Sequence, residues 1–571
     1  MDDPRVARLF RQAELGQLSR RQLLSAGIRF GLATPLLTAL VMSAPMRTSA
    51  APAPAPKTSV ARNQGTSTGT FTVIRDAETP DLDPQYAYDS GASLIFLATY
   101  EMLIQYKGDK TDELAPMLAT SWEESPDGTQ VTFTIPENVT FHDGTACDAQ
   151  MVKDSFARFL LQGAGPVNVI SRFIDTPDKM EVVSPTQIRF NLGTKQPLFL
   201  PAMASEYGPF IVNTKLMEEN KTDDDPFAHE YFRQNIVGTG PYKVSEVSPN
   251  DKMVLDKFDE YHGGWDGSYF DKVIIRIVPE NATRRQLIET GEADATTNNL
   301  TPDDYTALRG NSDVNVLTYP STAVAWTIMN APKLKTVDAR RGMSFAFPYD
   351  DVVNSVYAGL MKRSGPIASS VTGADPNVYL YQTDLAQAKD LILSAGFAEG
   401  DTFDYVFQGS TTEDGTIAQL FQANLSQIGF NLDVQAWDMS QLNDMVYGDS
   451  PAEERPFFVG VWQWWPDYND GWNQLAPNFL KSSSGGGGSN GGYWVNDRFE
   501  EIMAQAEKSP DQNEINTLMI EAQNILTEQD PPVIYYGELI WASVQRTNIK
   551  GFAPNPLYLS SYNFKDMYRE G

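Results

Sequence analysis

One cysteine, Cys147, and three histidines, His142, His229 and His262, are all the chain holds of the common thiolate and imidazole ligands. A single cysteine excludes an intramolecular disulfide and a thiolate metal cluster. The histidines lie far apart without metal-ligand spacing, which argues against a histidine-bound metal. Basic residues are scarce too: 44 Lys and Arg face 74 Asp and Glu, a formal net charge of −30. A field of that sign repels nucleic acid and anionic headgroups, so no nucleic-acid partner is expected. Neutral or cationic small molecules remain compatible with it. The chain also lacks a G-x-S-x-G elbow, a zinc motif, a phosphate-binding loop and a cysteine-nucleophile motif, so no cofactor is expected. Of the hydrolytic chemistries only a carboxylate pair, as in a secreted glycoside hydrolase, stays formally open, because spatial pairing is invisible in sequence.

Long apolar runs are missing as well. The one near the N-terminus, Phe30 to Ala44, is about fifteen residues, short of the roughly 20 a membrane span needs but suited to a signal h-region. Arg20 and Arg21 precede it with Leu23 and Leu24, and small residues suited to cleavage lie near Ala50. This pattern resembles a twin-arginine export signal over residues 1–50, followed by a Pro/Ala/Ser/Thr linker over 51–69. With no cysteine at the cleavage region a lipoprotein anchor is excluded. An amphipathic N-terminal helix or an uncleaved anchor is the other reading. The expected location is outside the cytoplasmic membrane, with the twin-arginine export machinery as a first partner.

At 571 residues the chain exceeds what one core serves, so two or three domains are expected. "SWEESPDGTQVTFTI" (121–135) reads as a hairpin around a Pro-Asp-Gly turn. "DAQMVKDSFARFLL" (148–161) reads as a helix N-capped by Asp148, and "KVIIRIVP" (272–279) as a buried strand. Further on, 403–409, 430–438 and 456–465 read as strands, and Ile417, Leu420, Phe421, Leu425 and Ile428 line a helix that Gly429 ends. Two helices follow, over Phe499–Ala506 and Ile515–Leu526. Strand–helix–strand alternation of this kind indicates an α/β lobe with a partly parallel sheet. "SSSGGGGSNGG" (482–492) reads as a flexible loop without packing capacity, and "VGTGPY" as a tight structural turn. His142 is expected to support the Asp143-Gly144 turn.

"LATSWEESPDGTQVTFTIPENVTFHDGTACDAQMVKDSF" (118–156) resembles the signature region of the extracytoplasmic solute-binding proteins, family 5, of peptide and nickel ABC transporters. "TPDLDPQ" (79–85), "VGTGPYKV" (237–244), "FDEYHGGW" (258–265), "GEADA" (291–295), "DARRGMSFAFPYDD" (338–351), "AKDLILSAGF" (388–397) and "IEAQNILTEQDPPVIYY" (520–536) follow the same order. Pro136 and Glu137 depart from the family's pattern, and the glycine-rich loop looks like this chain's own insertion. The resemblance implies a two-lobed periplasmic-binding-protein-like α/β fold, class II, of the large peptide-binding type with an extra inserted domain. Its segments would be lobe 1 over 70–117 and 207–320, the inserted domain over 118–206, lobe 2 over 321–548, and a return to lobe 1 over 549–571. It also implies a monomer, not an enzyme, that captures a small molecule between closing lobes and delivers it to ABC permease subunits.

The densest chemistry lies in "VWQWWPDYNDGWNQ" (461–474), which holds four of the ten tryptophans with Asp467 and Asp470 among them. Pro466 must stop the apolar strand, leaving Asp467 just past its carboxyl end, where open α/β sheets bind ligands. "WWPDYND" resembles the segment of peptide-binding relatives whose aspartate holds the α-ammonium, which puts that role on Asp467. Trp465, Tyr468 and Trp472 are the candidates for cleft walls. Resemblance adds Trp326 and Asn330 from "AWTIMN", and Tyr100 is a weaker contact. The competing reading makes Trp462 and Trp464 core and Asp467 a turn cap. Asp467 favours a peptide amine, whereas the tryptophan faces suit an oligosaccharide; di- or oligopeptides are the first expectation and oligosaccharides the alternative.

Overall fold

The computed structural model describes residues 65–571 apart from Asn298 and Ser560. The segment expected to be a twin-arginine signal, and most of the expected linker, therefore lie outside the described residues. Among the described residues no helix is long and apolar enough to cross a membrane.

One mixed sheet organises the molecule. In chain order its strands are β1 (Thr70–Arg75), β2 (Tyr242–Ser248), β3 (Lys252–Lys257), β4 (Lys272–Ile277), β5 (Ala295–Thr296), β6 (Val314–Met329), β7 (Met361–Lys362), β8 (Thr402–Gln408), β9 (Asn431–Trp437), β10 (Phe458–Trp464) and β11 (Val533–Arg546). Across the sheet they run β2-β3-β4-β1-β5-β11-β6-β10-β8-β9, with β7 added on β11. Parallel pairs flank an antiparallel centre: β1 lies parallel to β4 and β5, and β8 parallel to β9 and β10. The centre is β6 against β11, strands of 16 and 14 residues.

That central pair changes register midway. Val314–Pro320 pairs with Ile540–Arg546, then the register shifts between Pro320 and Val324, and Val324–Ile328 pairs with Val533–Glu538. Pro320 has no N–H to give the ladder, and an irregularity of this kind bends and twists the strands it interrupts. Only beyond the shift does β6 accept β10 on its other edge. Two lobes result, joined by continuous strands, with separate apolar cores on either side.

The expected hairpin is present as Ser121–Glu124 against Gln130–Thr134, turned where the Gly128 N–H donates to the Ser125 carbonyl at 2.8 Å. It belongs to a four-stranded antiparallel sheet of its own with Gln187–Asn191 and Met180–Ser184. Helix α1 (Ser90–Thr99) is N-capped by Asp89, and α2 (Ala149–Gln162) by Asp148, whose side chain accepts from the Met151 N–H. Helix α3 (Thr412–Gln427) buries Ile417, Phe421 and Leu425, and Gly429 follows at φ +91°. Helices α4 (Gly471–Phe479), α5 (Asp497–Lys508) and α6 (Gln512–Asn524) complete the side of the second lobe that supports the strand ends.

Two expectations are corrected. Residues 482–492 are packed: Ser483, Ser489 and Asn490 are buried, and Asn490 Nδ2 donates to the carbonyls of Trp494 at 2.8 Å and Leu480 at 3.1 Å. Glycine serves there as a close-approach residue, since a Cβ on Gly492 would lie 2.3 Å from the Met329 carbonyl oxygen. His142 braces the Gly-Thr-Gly segment instead of its own turn. Its Nε2 meets the Gly240 carbonyl at 3.0 Å and its Nδ1 the Gly238 N–H at 3.3 Å. Burial lowers its pKa to about 4.

Candidate ligand-binding site

Strand β10 ends at Trp464, and Pro466 prevents its continuation. Asp467 follows, held from below by α4. Its own N–H donates to Asn473 Oδ1 at 2.5 Å, and Asn473 Nδ2 donates back to Asp467 Oδ2 at 3.2 Å. From the other lobe, the Tyr88 hydroxyl donates to Asp467 Oδ1 at 2.5 Å. Beside it, Trp465 Nε1 donates to the Tyr207 hydroxyl at 2.9 Å, and the rings of Tyr88 and Tyr207 meet edge to face at 5.0 Å. These residues and Trp462 and Trp464 wall a cavity of about 560 Å³ between the lobes.

Asp467 is 8% exposed. Burial raises its pKa to about 6, and the hydrogen bonds from Tyr88 and Asn473 oppose that rise. Among the described residues an anion at this place has two neutral donors and no cation, so a positively charged guest would meet an uncompensated acceptor. Asp470 has another task. It N-caps α4, accepting from the Trp472 N–H at 2.7 Å and from Gln512 Nε2 at 3.0 Å.

Of the residues expected at the site, the cavity brings together Asp467 and Trp465. Tyr468 is fully buried, its hydroxyl accepting from the Arg172 guanidinium at 2.7 Å. Trp472 packs under that same guanidinium, 3.7 Å from its ring centre, and donates to the Met503 carbonyl at 3.0 Å. Trp326 lies in the second-lobe core against Phe479 and Tyr535. Asn330 donates to the carbonyls of Ala452, Arg455 and Pro456, a buried clamp on the chain entering β10. Tyr100 is buried against Phe96 and Phe210. None of these five lines the cavity, and the reason is local. Residues 461–465 line the cavity in a row, whereas Tyr468 and Trp472 fall past the end of β10, in the turn and on α4, and Trp326, Asn330 and Tyr100 stand on other elements with core or backbone partners of their own. Tyr88, Tyr207 and Asp414, which do line it, carry no signal in their own neighbourhoods, because long-range folding alone brings them to the end of β10.

Residues 113–486 match the family described as bacterial extracellular solute-binding proteins, family 5. The chain is 28% identical over 508 residues to the probable D,D-dipeptide-binding periplasmic protein DdpA of Escherichia coli K12, covering 87% of this chain and 93% of that protein. It is 26% identical to the glutathione-binding protein GsiB of Pectobacterium atrosepticum, over 85% and 92% of the two chains. Among solved structures, the periplasmic binding protein DppA of Helicobacter pylori in complex with the peptide STSA superposes with a TM-score of 0.74 at 24% identity, covering 88% and 98%.

A two-lobed α/β fold with an acidic, aromatic-walled cavity between the lobes defines a solute-binding protein of the large class II type. The chain belongs to the bacterial extracellular solute-binding proteins, family 5, a family of binding proteins and not of enzymes.

Proposed function

We propose that this chain is the extracytoplasmic solute-binding component of an ABC importer, and that its solute is a di- or oligopeptide whose α-ammonium pairs with Asp467. The observation that carries the reading is Asp467 itself, a buried carboxylate at a strand end, inside the interlobe cavity, with no cation beside it among the described residues. The relatives named for a D,D-dipeptide and for glutathione support a peptide ligand. Capture breaks no bond: the ligand favours the closed arrangement through differential contacts, and permease subunits with their ATPases supply the work.

The chain boundaries belong to the same proposal. Lobe 1 comprises 70–117, 207–320 and 549–571, the inserted domain 118–206, and lobe 2 321–548. The register shift that begins at Pro320 supports the change of lobe there. Arg20 and Arg21 support export by the twin-arginine machinery, and the protein acts as a monomer.

A specific observation favours oligosaccharide as the second reading. Trp462 and Trp464 line the cavity, and their buried indole N–H groups have no acceptor among the described residues. Calorimetric titration of a free and an N-acetylated peptide against wild type and Asp467→Asn separates the two. An ammonium anchor predicts that the free peptide loses about 30- to 3,000-fold in affinity on substitution, the range for stranding one partner of a buried pair. The acetylated peptide should bind wild type poorly and respond far less. Equal affinities throughout would sink the peptide reading and leave the indoles to sugar rings.

A further inference from the structure

Every charged side chain lining the cavity is a carboxylate: Asp89, Asp414 and Asp467. Asp89 is occupied as the N-cap of α1, and Asp467 has the role proposed above. Asp414 is left over. It stands in the first turn of α3 and is 6% exposed, yet it contributes to the cavity wall. Its hydrogen-bond donors are the Thr411 side chain and the Val461 N–H, and the charged group beside it is another carboxylate, Glu413. An ionised carboxylate accepts about four hydrogen bonds, so two donors leave acceptor capacity unused. The Trp462 indole N–H, in a residue 6% exposed on the same wall, is unpartnered as well. The cavity thus holds unspent polar groups besides Asp467.

We infer that Asp414 is a second anionic anchor, which takes an ammonium or guanidinium on a ligand side chain while Asp467 takes the α-ammonium, so that the preferred solutes are short peptides with a basic residue. This rests on the peptide reading proposed above. Burial raises the Asp414 pKa to about 7, as expected of a carboxylate whose counter-ion is missing, and an arriving cation would supply it. Chain geometry bounds the spacing. Asp414 accepts from Val461, six residues before Asp467, so the two anchors lie within about 20 Å along the wall. A tripeptide with a basic side chain falls inside that bound, whereas a neutral sugar, although it can donate hydroxyls, would leave both carboxylates without a counter-ion.

The test is calorimetric titration of the intact exported protein with trialanine carrying lysine at its first, second or third position. Each is compared with the same peptide carrying norleucine, which keeps most of the aliphatic stem and removes the charge. The expected result is that at one position lysine binds at least about tenfold tighter than norleucine, and that Asp414→Asn brings that ratio close to one. Lysine and norleucine binding alike at every position in the wild type would overturn the second anchor without any variant having to fold. If Asp467→Asn still lost affinity for the same peptides, the peptide reading would survive and Asp414 would be a helix-start carboxylate only. If no tripeptide bound the wild type, both readings would fall together.

Discussion

Tyr88 and Asp467 belong to opposite lobes, and the hydroxyl of one donates to the carboxylate of the other at 2.5 Å. Without a guest, the first lobe itself therefore satisfies the buried anion of the second. Tyr88→Phe keeps the ring against Tyr207 and removes that donor. A buried acceptor left short of a partner costs about 1–3 kcal/mol, and opening the lobes relieves the cost by admitting water. The unliganded variant should show a larger radius of gyration than wild type in small-angle scattering, and saturating peptide should restore the compact value. An unliganded variant as compact as wild type would mean that Tyr88 does not hold the lobes together.

The pH dependence of stability should run opposite to that of binding. Burial raises Asp467 and Asp470 to about 6, Asp414 to about 7 and Glu206 to about 8. A carboxyl whose folded pKa exceeds its unfolded one holds more protons when folded, so stability falls as pH rises between the two values. The Tm of the unliganded protein should therefore decline from about pH 4 to about pH 8. Peptide affinity should rise over the lower part of that range, because an ammonium prefers ionised Asp467 and binding releases a proton. Titrations in buffers of different ionisation enthalpy detect that proton, and a Tm that climbs through the interval would contradict the buried-carboxyl account.

What could be read from the residues alone follows from the range of the forces involved. Asp148 announces α2 because capping is settled within three residues, and Val131 and Phe133 announce a strand because alternation is local. Asp467 was legible because Pro466 fixes where the strand stops. Tyr88 was not: it meets Asp467 across 379 positions of chain, and no spacing rule reaches that far. Composition also misleads at 482–492, where glycine indicates loose chain by frequency but here permits the backbone to press against Met329. The aromatic stretch lay between these cases. Its density was visible, while the division into core (Tyr468, Trp472) and wall (Trp465) depended on packing partners elsewhere.

Helix α2 is tied to the chain around Asp83 by charge. Arg158 of α2 and Asp83 are both fully buried, with Nη2 to Oδ2 at 2.5 Å and Nη1 to Oδ1 at 3.1 Å, and Arg158 also donates to Gln85 at 2.8 Å and to the Phe227 carbonyl at 3.0 Å. Removing one partner strands a charge in the interior, which costs roughly 3–5 kcal/mol, whereas removing both costs less. Arg158→Met should lower the urea midpoint substantially, and Arg158→Met with Asp83→Asn should recover part of the loss. Strict additivity of the two single effects would show that the pair does not act as a unit.

The packed glycine-rich loop yields the last prediction. Asn490 is 3% exposed, and its amide makes three hydrogen bonds that tie two stretches of chain together. Nδ2 donates to the carbonyls of Leu480 and Trp494, and Oδ1 accepts from the Trp494 N–H at 3.1 Å. Trp494 is itself among the largest fully buried side chains and lies against Phe479 and Phe499 in the second-lobe core. Asn490→Ala leaves two carbonyls and one N–H without their partner, at about 1–3 kcal/mol for each group that water cannot reach. Gly492→Ala should be damaging for a different reason, since its Cβ would fall 2.3 Å from the carbonyl oxygen of Met329, the last residue of β6. Both variants should therefore melt several degrees below wild type. Gly485→Ala, whose Cβ meets nothing nearer than 3.4 Å but whose φ is +56°, should show only the milder penalty of a left-handed backbone. Differential scanning calorimetry ranks the three. An Asn490→Ala protein that melts with wild type would mean that the loop is not part of the cooperative second-lobe core.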